Sequence, residues 1–251
     1  MARGGAGDKR FPLPRFPGAV APACRMVDAP GMLSDRVLFI DGEAIVVDKP
    51  AGLPVDAPRD GSLSVANHLE TLAFGFQRWP QPVHRLDRDT SGCLLLSRNP
   101  KAHARFQQAF EARQVEKVYW AVLDGVPAEE SGMVDAGLRK VSTREEGWRM
   151  IVDPRGKPAR TGWRVLTVRS GRALVEMRPE TGRTHQLRVH AADGIGVPIA
   201  GDPVYGAGSA ARGPGMLLHA RRLRVARGEK APIDVSAPPP PSFAAAGFDD
   251  L

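Results

Sequence analysis

Two dipeptides constrain this chain more than any other feature. Asp41-Gly42 lies between VLFI and EAIVVDK, and Ser170-Gly171 between TGWRVLTVR and RALVEMRP. Each joins two apolar, β-branched runs through residues suited to a tight reversal, which is the signal of an antiparallel hairpin. Lys49-Pro50 and Gly52 end the second strand of the first hairpin, while EKVYWAVLDG and MLLHARRLRV supply further strands, the last with an Arg-rich outward side. Helical spacing is rarer. Leu63, Ala66, Leu69 and Ala73 predict a helix over residues 63–74. Asn99 as cap and Pro100 at the first helical position open PKAHARFQQAFEAR, with Ala102, Phe106 and Phe110 as its buried stripe. THQLRVHAADG reads as a short helix ended by Gly194. Strands come in pairs without regular βαβ alternation, so the expected class is α+β: a mostly antiparallel mixed sheet flanked by helices.

At 251 residues and 42% hydrophobic content, the chain can bury a core as one large domain or two fused subdomains. The expected organisation is a flexible basic Pro/Gly-rich tail over 1–30, one folded unit over 31–240, and a loose C-terminal tail over 241–251 after the Pro run. GAGSAARGPG at 206–215 lacks the Lys-Ser/Thr of a nucleotide-triphosphate loop and reads as a flexible connection. The net charge is +7, and the excess is uneven: residues 155–190 carry nine Lys/Arg against two acids. Such a bias points to an anionic partner such as nucleic acid. Cys24 and Cys93 are the only cysteines and have no His or Cys at metal-ligand spacing, which speaks against a zinc site or a disulfide framework and fits a reducing cytosol. No apolar run approaches the roughly 18 residues of a membrane span, and the N-terminus lacks the apolar core of a signal peptide.

Against this background VHRLDRDTSG at 83–92 stands out, because it carries a dense block of charge into the apolar run Cys93-Leu94-Leu95-Leu96. In an extended segment Arg85, Asp87 and Asp89 would share one side, with Leu86 and Arg88 opposite. A carboxylate beside an arginine keeps its charge, so Asp87 suits the role of an ionised nucleophile or base. Thr90-Ser91-Gly92 supplies a tight turn. From the residues alone, a salt bridge closing a loop onto a strand explains the block equally well.

HRLDRDTSG followed by CLLLSRN resembles the signature loop of the RluA-type pseudouridine synthases. VVDKPAGLPV, VEKVYWAVLDG, RPETGRTHQLRVH with GVPIAGDPVYG, and GMLLHARRLRV resemble further motifs of that family, in its order and spacing, over residues 31–240. The resemblance implies a pseudouridine synthase catalytic domain with a central RNA-binding cleft. It also implies isomerisation of a uridine within RNA, by breaking its glycosidic bond to nitrogen and rejoining the ribose through carbon five. No redox change or group transfer is involved, so no cofactor or metal is implied.

Residue by residue, Asp87 matches the family's catalytic Asp, which attacks the ribose anomeric carbon or the uracil ring, or abstracts a ribose proton. A carboxylate ionised at neutral pH suits all three routes. Arg188 matches the Arg that pairs with this Asp and lowers its pKa, and Tyr119 the Tyr lying against the base. Arg85 matches the Arg that enters the space left by the extruded nucleotide. Leu217 is expected to wall the base, and Arg183 and His185 to bind phosphate or organise their loop. His84 and His219 are expected to be structural. Many family members carry a small basic RNA-binding domain ahead of the catalytic one. Residues 1–30 are too few and too Pro/Gly-rich to form it, so substrate choice is expected to fall to the catalytic domain's own basic surface. That resembles the compact members acting on stem-loops of transfer or ribosomal RNA in the cytoplasm, for which a monomer suffices and no membrane is needed. Two rivals differ in class. A catalytically inactive RNA-binding domain would have lost Asp87, Tyr119 or Arg188, and a metal-dependent nuclease would need more carboxylates than the Asp87/Asp89 pair.

Overall fold

The structure is a computed structural model that describes residues 32–144, 147–206 and 215–249. Its strands run in chain order as β1 (Val37–Ile40), β2 (Ala44–Lys49), β3 (Gln81–Pro82), β4 (Ser91–Ser97), β5 (Val115–Leu123), β6 (Ser131–Asp135), β7 (Leu138–Thr143), β8 (Gly147–Val152), β9 (Arg160–Arg169), β10 (Arg172–Pro179), β11 (Leu218–Arg227) and β12 (Lys230–Ser236). Helix α1 spans Pro100–Glu111, α2 spans Gln186–Val189 and continues as a π-helical turn over His190–Ile195, and α3 spans Pro241–Ala245. Ten strands form one sheet in the order β1-β2-β4-β11-β5-β10-β9-β6, with β12 on β11 and β3 on β4, while β7 and β8 form a separate hairpin. Every pairing is antiparallel except β4 with β11, where Ser91 faces His219 and Gly92 faces Ala220. The class is α+β, as the paired strands predict.

Both hairpins form where their turn residues lie. The Asp41 carboxylate accepts the N–H groups of Glu43 and Ala44 at 2.8 and 2.9 Å, closing β1 onto β2. Ser170 and Gly171 both take positive φ, 49° and 75°, the conformation that matches the twist of the strands they join. Strands β2 and β4 are buried on both faces. Ala44, Val46, Cys93 and Leu95 face α1 through Ala102 and Phe106, while Ile45, Val47, Leu94 and Leu96 meet Leu33, Leu53 and Leu72. The Asn99 side chain accepts the Ala102 N–H at 2.9 Å, as a cap should. Replacing Asn99 with Ala is expected to cost about 1 kcal/mol, read as a fall in thermal midpoint of about 2–4 °C; an unchanged midpoint would show the cap to be idle.

Three expectations are corrected. Residues 63–74 form only a 3-10 turn at Val65–His68. Ser64 and Asn67 form a capping box that opens this turn, but the chain then continues in separate turns, with the Ala73 N–H on the Glu70 carbonyl at 3.1 Å and the Phe76 N–H on the Ala73 carbonyl at 3.0 Å, and Phe74 and Gly75 take left-handed backbones. The helix after His185 ends at Gly196, in left-handed conformation, rather than at Gly194. The C-terminal segment is not loose over 241–249, because Phe243 and Phe248 are 1% exposed against Val122, Leu174 and Leu217. The expectations for residues 1–30 and for most of 206–215 lie outside the described residues.

Candidate active site

The charged block enters the sheet at its one parallel seam. The Thr90 N–H bonds to the Asp87 carbonyl at 3.1 Å, making a turn over Arg88 and Asp89 before β4 begins. The turn breaks the extended alternation expected of 85–89: Arg85, Leu86, Asp87 and Thr90 line a cleft, and Asp89 does not. Gly92 has φ of 102°, and a β-carbon there would overlap the Ala220 backbone, so only glycine lets β4 and β11 meet at this point. Beneath the turn, Lys49 is fully buried and donates to the carbonyls of Pro50, Leu53 and Arg88 at 2.8, 2.7 and 2.9 Å. Burial brings its ammonium down to about 7, against the pull of Asp89, Asp87 and Asp48.

Strand β5 brings Tyr119 and Lys117 to the same cleft, the segment after β10 brings Thr181 and Arg183, and α2 with its leading residue brings His185 and Arg188. The cleft is open to solvent and holds roughly 640 Å³ including its open mouth. Of its lining residues, Arg85, Lys117, Arg183 and Arg188 are cationic and Asp87 alone is acidic.

Arg188 is the hinge of the charge arrangement. Its Nε and Nη2 donate to the two carboxylate oxygens of Asp202, each at 2.7 Å, and its Nη1 lies 3.4 Å from Asp87 Oδ2. Side-chain exposure rises along this chain of charges: none at Asp202, 5% at Arg188, 21% at Asp87. Burial disfavours the Arg188 cation, yet Asp202 and Asp87 more than offset it and raise its pKa. Burial likewise opposes the Asp202 anion, but Arg188 and the N–H groups of Val204 and Tyr205 hold its carboxyl below the ordinary value. Asp87 is thus the accessible end of a fixed ionic network.

His185, in left-handed backbone conformation (φ 53°), sets its Nδ1 2.9 Å from the Tyr205 hydroxyl and its Nε2 4.0 Å from Asp87 Oδ2. The Tyr205 hydroxyl also accepts the Met150 N–H at 3.0 Å, tying the β7–β8 hairpin to the site. Burial lowers the His185 pKa, which favours the neutral ring. Burial, with Asp87 nearby, raises the Tyr119 phenol above its ordinary value, so it keeps its proton at neutral pH. Arg85 points outward with 70% side-chain exposure and meets Asp56 at 3.0 Å, an exposed pair of little energetic weight. Arg183 donates to the Pro158 carbonyl at 3.2 Å.

Leu217 is a correction. It is 1% exposed and packs with Val122, Ala200 and Phe243, while its neighbour Leu218 lines the cleft. Successive residues of an extended segment face opposite sides, so an assignment one position off inverts the side chain. His84 is half-buried and His219 buried. The first accepts the Leu95 N–H at 3.0 Å and the second meets the Ser91 hydroxyl at 2.9 Å. Burial lowers them to about 3 and about 4, which keeps both neutral. Among the described residues, no group of three His, Cys, Asp or Glu side chains is placed to hold a metal. Asp202, Tyr205, Lys49 and Leu218 are site residues that sequence reasoning passed over, although Asp202 and Tyr205 lie in the GDPVYG stretch.

A sheet opened at a parallel seam into a basic cleft, with one carboxylate held by a buried guanidinium, belongs to the class of RNA pseudouridine synthases, which are isomerases. Human RNA Pseudouridylate Synthase Domain Containing 4 superposes with a TM-score of 0.71 at 28% identity, covering 84% of this chain and 91% of that one. The chain belongs to the RNA pseudouridylate synthase family, whose model matches residues 43–193. An uncharacterised RNA pseudouridine synthase of Zymomonas mobilis is 57% identical over 217 residues, 86% of this chain and 99% of that protein. Ribosomal large subunit pseudouridine synthase D of the same organism is 38% identical over 178 residues, 68% of this chain and 56% of its own length.

Proposed function

We propose that this chain isomerises particular uridines to pseudouridine in structured ribosomal or transfer RNA, with Asp87 as the reacting group. The observation that carries this reading is the half-open carboxylate of Asp87, 3.4 Å from a buried arginine, in a cleft whose other charged lining residues are all cations. RNA enters as a polyanion, and Arg85, Lys117 and Arg183 supply the attraction. The target nucleotide leaves its stack to reach Asp87, and the exposed Arg85 is free to move into the vacated space. Asp87 then acts on the ribose or the ring. The bond from the anomeric carbon to N1 breaks, a bond to C5 forms, and a proton passes from C5 to N1, so the sum is an isomerisation. Arg188 holds the carboxylate in place, and Tyr119 offers a ring to stack on uracil and a protonated hydroxyl. The same reading puts the enzyme in the cytoplasm, and a single copy carries every residue the reaction uses.

The deciding experiment maps pseudouridines in ribosomal and transfer RNA from cells lacking this protein. One position should lose its modification, and wild-type protein should restore it. A map identical to that of the parent cells overturns the reading. A narrower result concerns Tyr119: Tyr119→Phe is expected to bind RNA as the wild type does and to slow single-turnover conversion by about 10²-fold, the weight of one positioned proton-transfer group. Equal single-turnover rates would make the hydroxyl dispensable.

A further inference from the structure

At the end of β4 away from Asp87, a second cavity of roughly 530 Å³ including its open mouth lies between β3, the chain after β4 and α1, with Arg78, Trp79, Arg98 and His103 on its walls. Two features there are costly for a protein to keep. The first is Arg98, only 7% exposed, whose guanidinium donates to the carbonyls of Asp41, Ala73 and Phe74 at 2.7, 3.0 and 3.3 Å. It forms no ion pair with a carboxylate among the described residues. Asp41, which attracts it from farther away, is itself bonded to Arg227. The guanidinium is therefore held by carbonyls in the segment beside the cavity, and the exposed cation on the cavity wall itself is Arg78, placed to meet an anion from outside. The second is a run of exposed aromatic residues, Phe74, Phe76 and Trp79 at 46%, 41% and 55%, of which Trp79 lines the cavity and the two phenylalanines lie in the segment leading to it. Phe74 holds its ring there from a left-handed backbone, φ 44°, a strained conformation for a bulky residue. The Arg98 guanidinium lies over the Phe76 ring at 3.7 Å, joining the cation to the aromatic surface.

We propose that this cavity binds an unpaired nucleotide of the RNA strand whose uridine occupies the Asp87 cleft, with its phosphate at Arg78 and its base stacked on Trp79. Arginine for phosphate beside aromatic rings for bases is the composition of single-strand RNA sites. Strand β4, seven residues long, sets the separation of the two sites at about 20 Å, the length of about six stacked nucleotides. A helical stem presents its bases paired and cannot stack one on Trp79, so the site selects RNA with an unpaired flank at a fixed distance from the target.

This inference rests on the reading of the chain as an RNA enzyme, and its test is separate from the test of that reading. The probe is a mixed-sequence unpaired RNA of about twelve nucleotides, long enough at about 3.4 Å per nucleotide to span both sites. The same sequence annealed to its complement serves as comparison. Binding is followed by tryptophan fluorescence, with Trp79→Phe used to isolate Trp79 from the other tryptophans. The single strand should quench wild-type emission well beyond that of Trp79→Phe, and the duplex should not. Trp79→Ala and Arg78→Glu should each weaken single-strand binding about tenfold; both side chains are exposed, so neither change threatens folding. Equal affinity for wild type and Trp79→Ala, or equal quenching by the duplex, overturns the site. Quenching of Trp79 by a proline-rich peptide but not by RNA would also overturn it, in favour of a protein partner. Absence of pseudouridine formation by the wild-type chain would instead strike at the reading beneath it.

Discussion

Asp87→Asn is expected to lower pseudouridine formation by about 10⁴-fold while leaving RNA affinity within a few-fold and thermal stability nearly unchanged. The chemical part follows from the loss of a nucleophile or base that the cleft does not duplicate, since Asp87 is its single carboxylate. Removing such a group in other enzymes costs about 10⁴–10⁶ in turnover. The stability part follows from Arg188. Its two short bonds to Asp202 remain in the variant, so the buried cation keeps its principal counter-ion and loses only the longer contact at 3.4 Å. Asn also keeps the side-chain volume, and the 21% exposure of Asp87 leaves water to solvate the amide. Affinity should hold because the cations lining the cleft are untouched. Single-turnover assays, filter binding and thermal unfolding of one purified variant check the three parts together. Turnover within tenfold of the wild type would remove Asp87 from the chemistry.

The same site shows which parts of a structure a sequence makes legible. Hairpins at Asp41-Gly42 and Ser170-Gly171 were readable because their turns are local and the flanking runs are apolar. The cap of α1 was readable for the same reason. The helix expected over 63–74 did not form beyond one turn because apolar spacing says nothing of the backbone, which breaks into separate turns and goes left-handed at Phe74 and Gly75. Strands β6, β7 and β8 carried no usable signal. The β7–β8 hairpin exposes most of both faces, so its residues obey no alternation. Asp87, Tyr119 and Arg188 come from a loop, a strand and a helix far apart in the chain, and only the resemblance joined them before coordinates did. Asp202 escaped notice because a lone carboxylate in GDPVYG is ordinary until a buried arginine is placed beside it. Leu217 and Leu218 mark the finest limit: apolar neighbours at the start of a strand look alike, and one residue of register decides which of them meets substrate.

Asp202→Ala should be the most destabilising change at the site although Asp202 itself is sealed from the cleft floor. The substitution removes both short acceptors from Arg188, which is 5% exposed and left with only Asp87 at 3.4 Å. It also strips the N–H groups of Val204 and Tyr205 of their acceptor at 2.8 and 3.0 Å. Breaking one side of a buried ion pair costs about 3–5 kcal/mol, and about 2–4 °C of thermal midpoint follows each kcal/mol in a chain of this size. A fall of about 6–20 °C is therefore expected at pH 7. Turnover should drop even at temperatures where the variant is folded, because Arg188 no longer fixes the Asp87 carboxylate, and the loss should appear in kcat more than in KM. Asp202→Asn retains an oxygen for the two backbone donors and should lose less stability than Asp202→Ala. The pH dependence has a definite sign. The folded pKa of Asp202 lies below its ordinary 3.8, so its contribution is complete above that value and disappears as pH falls through the folded one. The gap in midpoint between wild type and Asp202→Ala should then be constant from neutral pH down to about 5 and shrink below about 4. A gap that is absent at pH 7, or that widens in acid, would show that Arg188 is anchored by something other than this carboxylate.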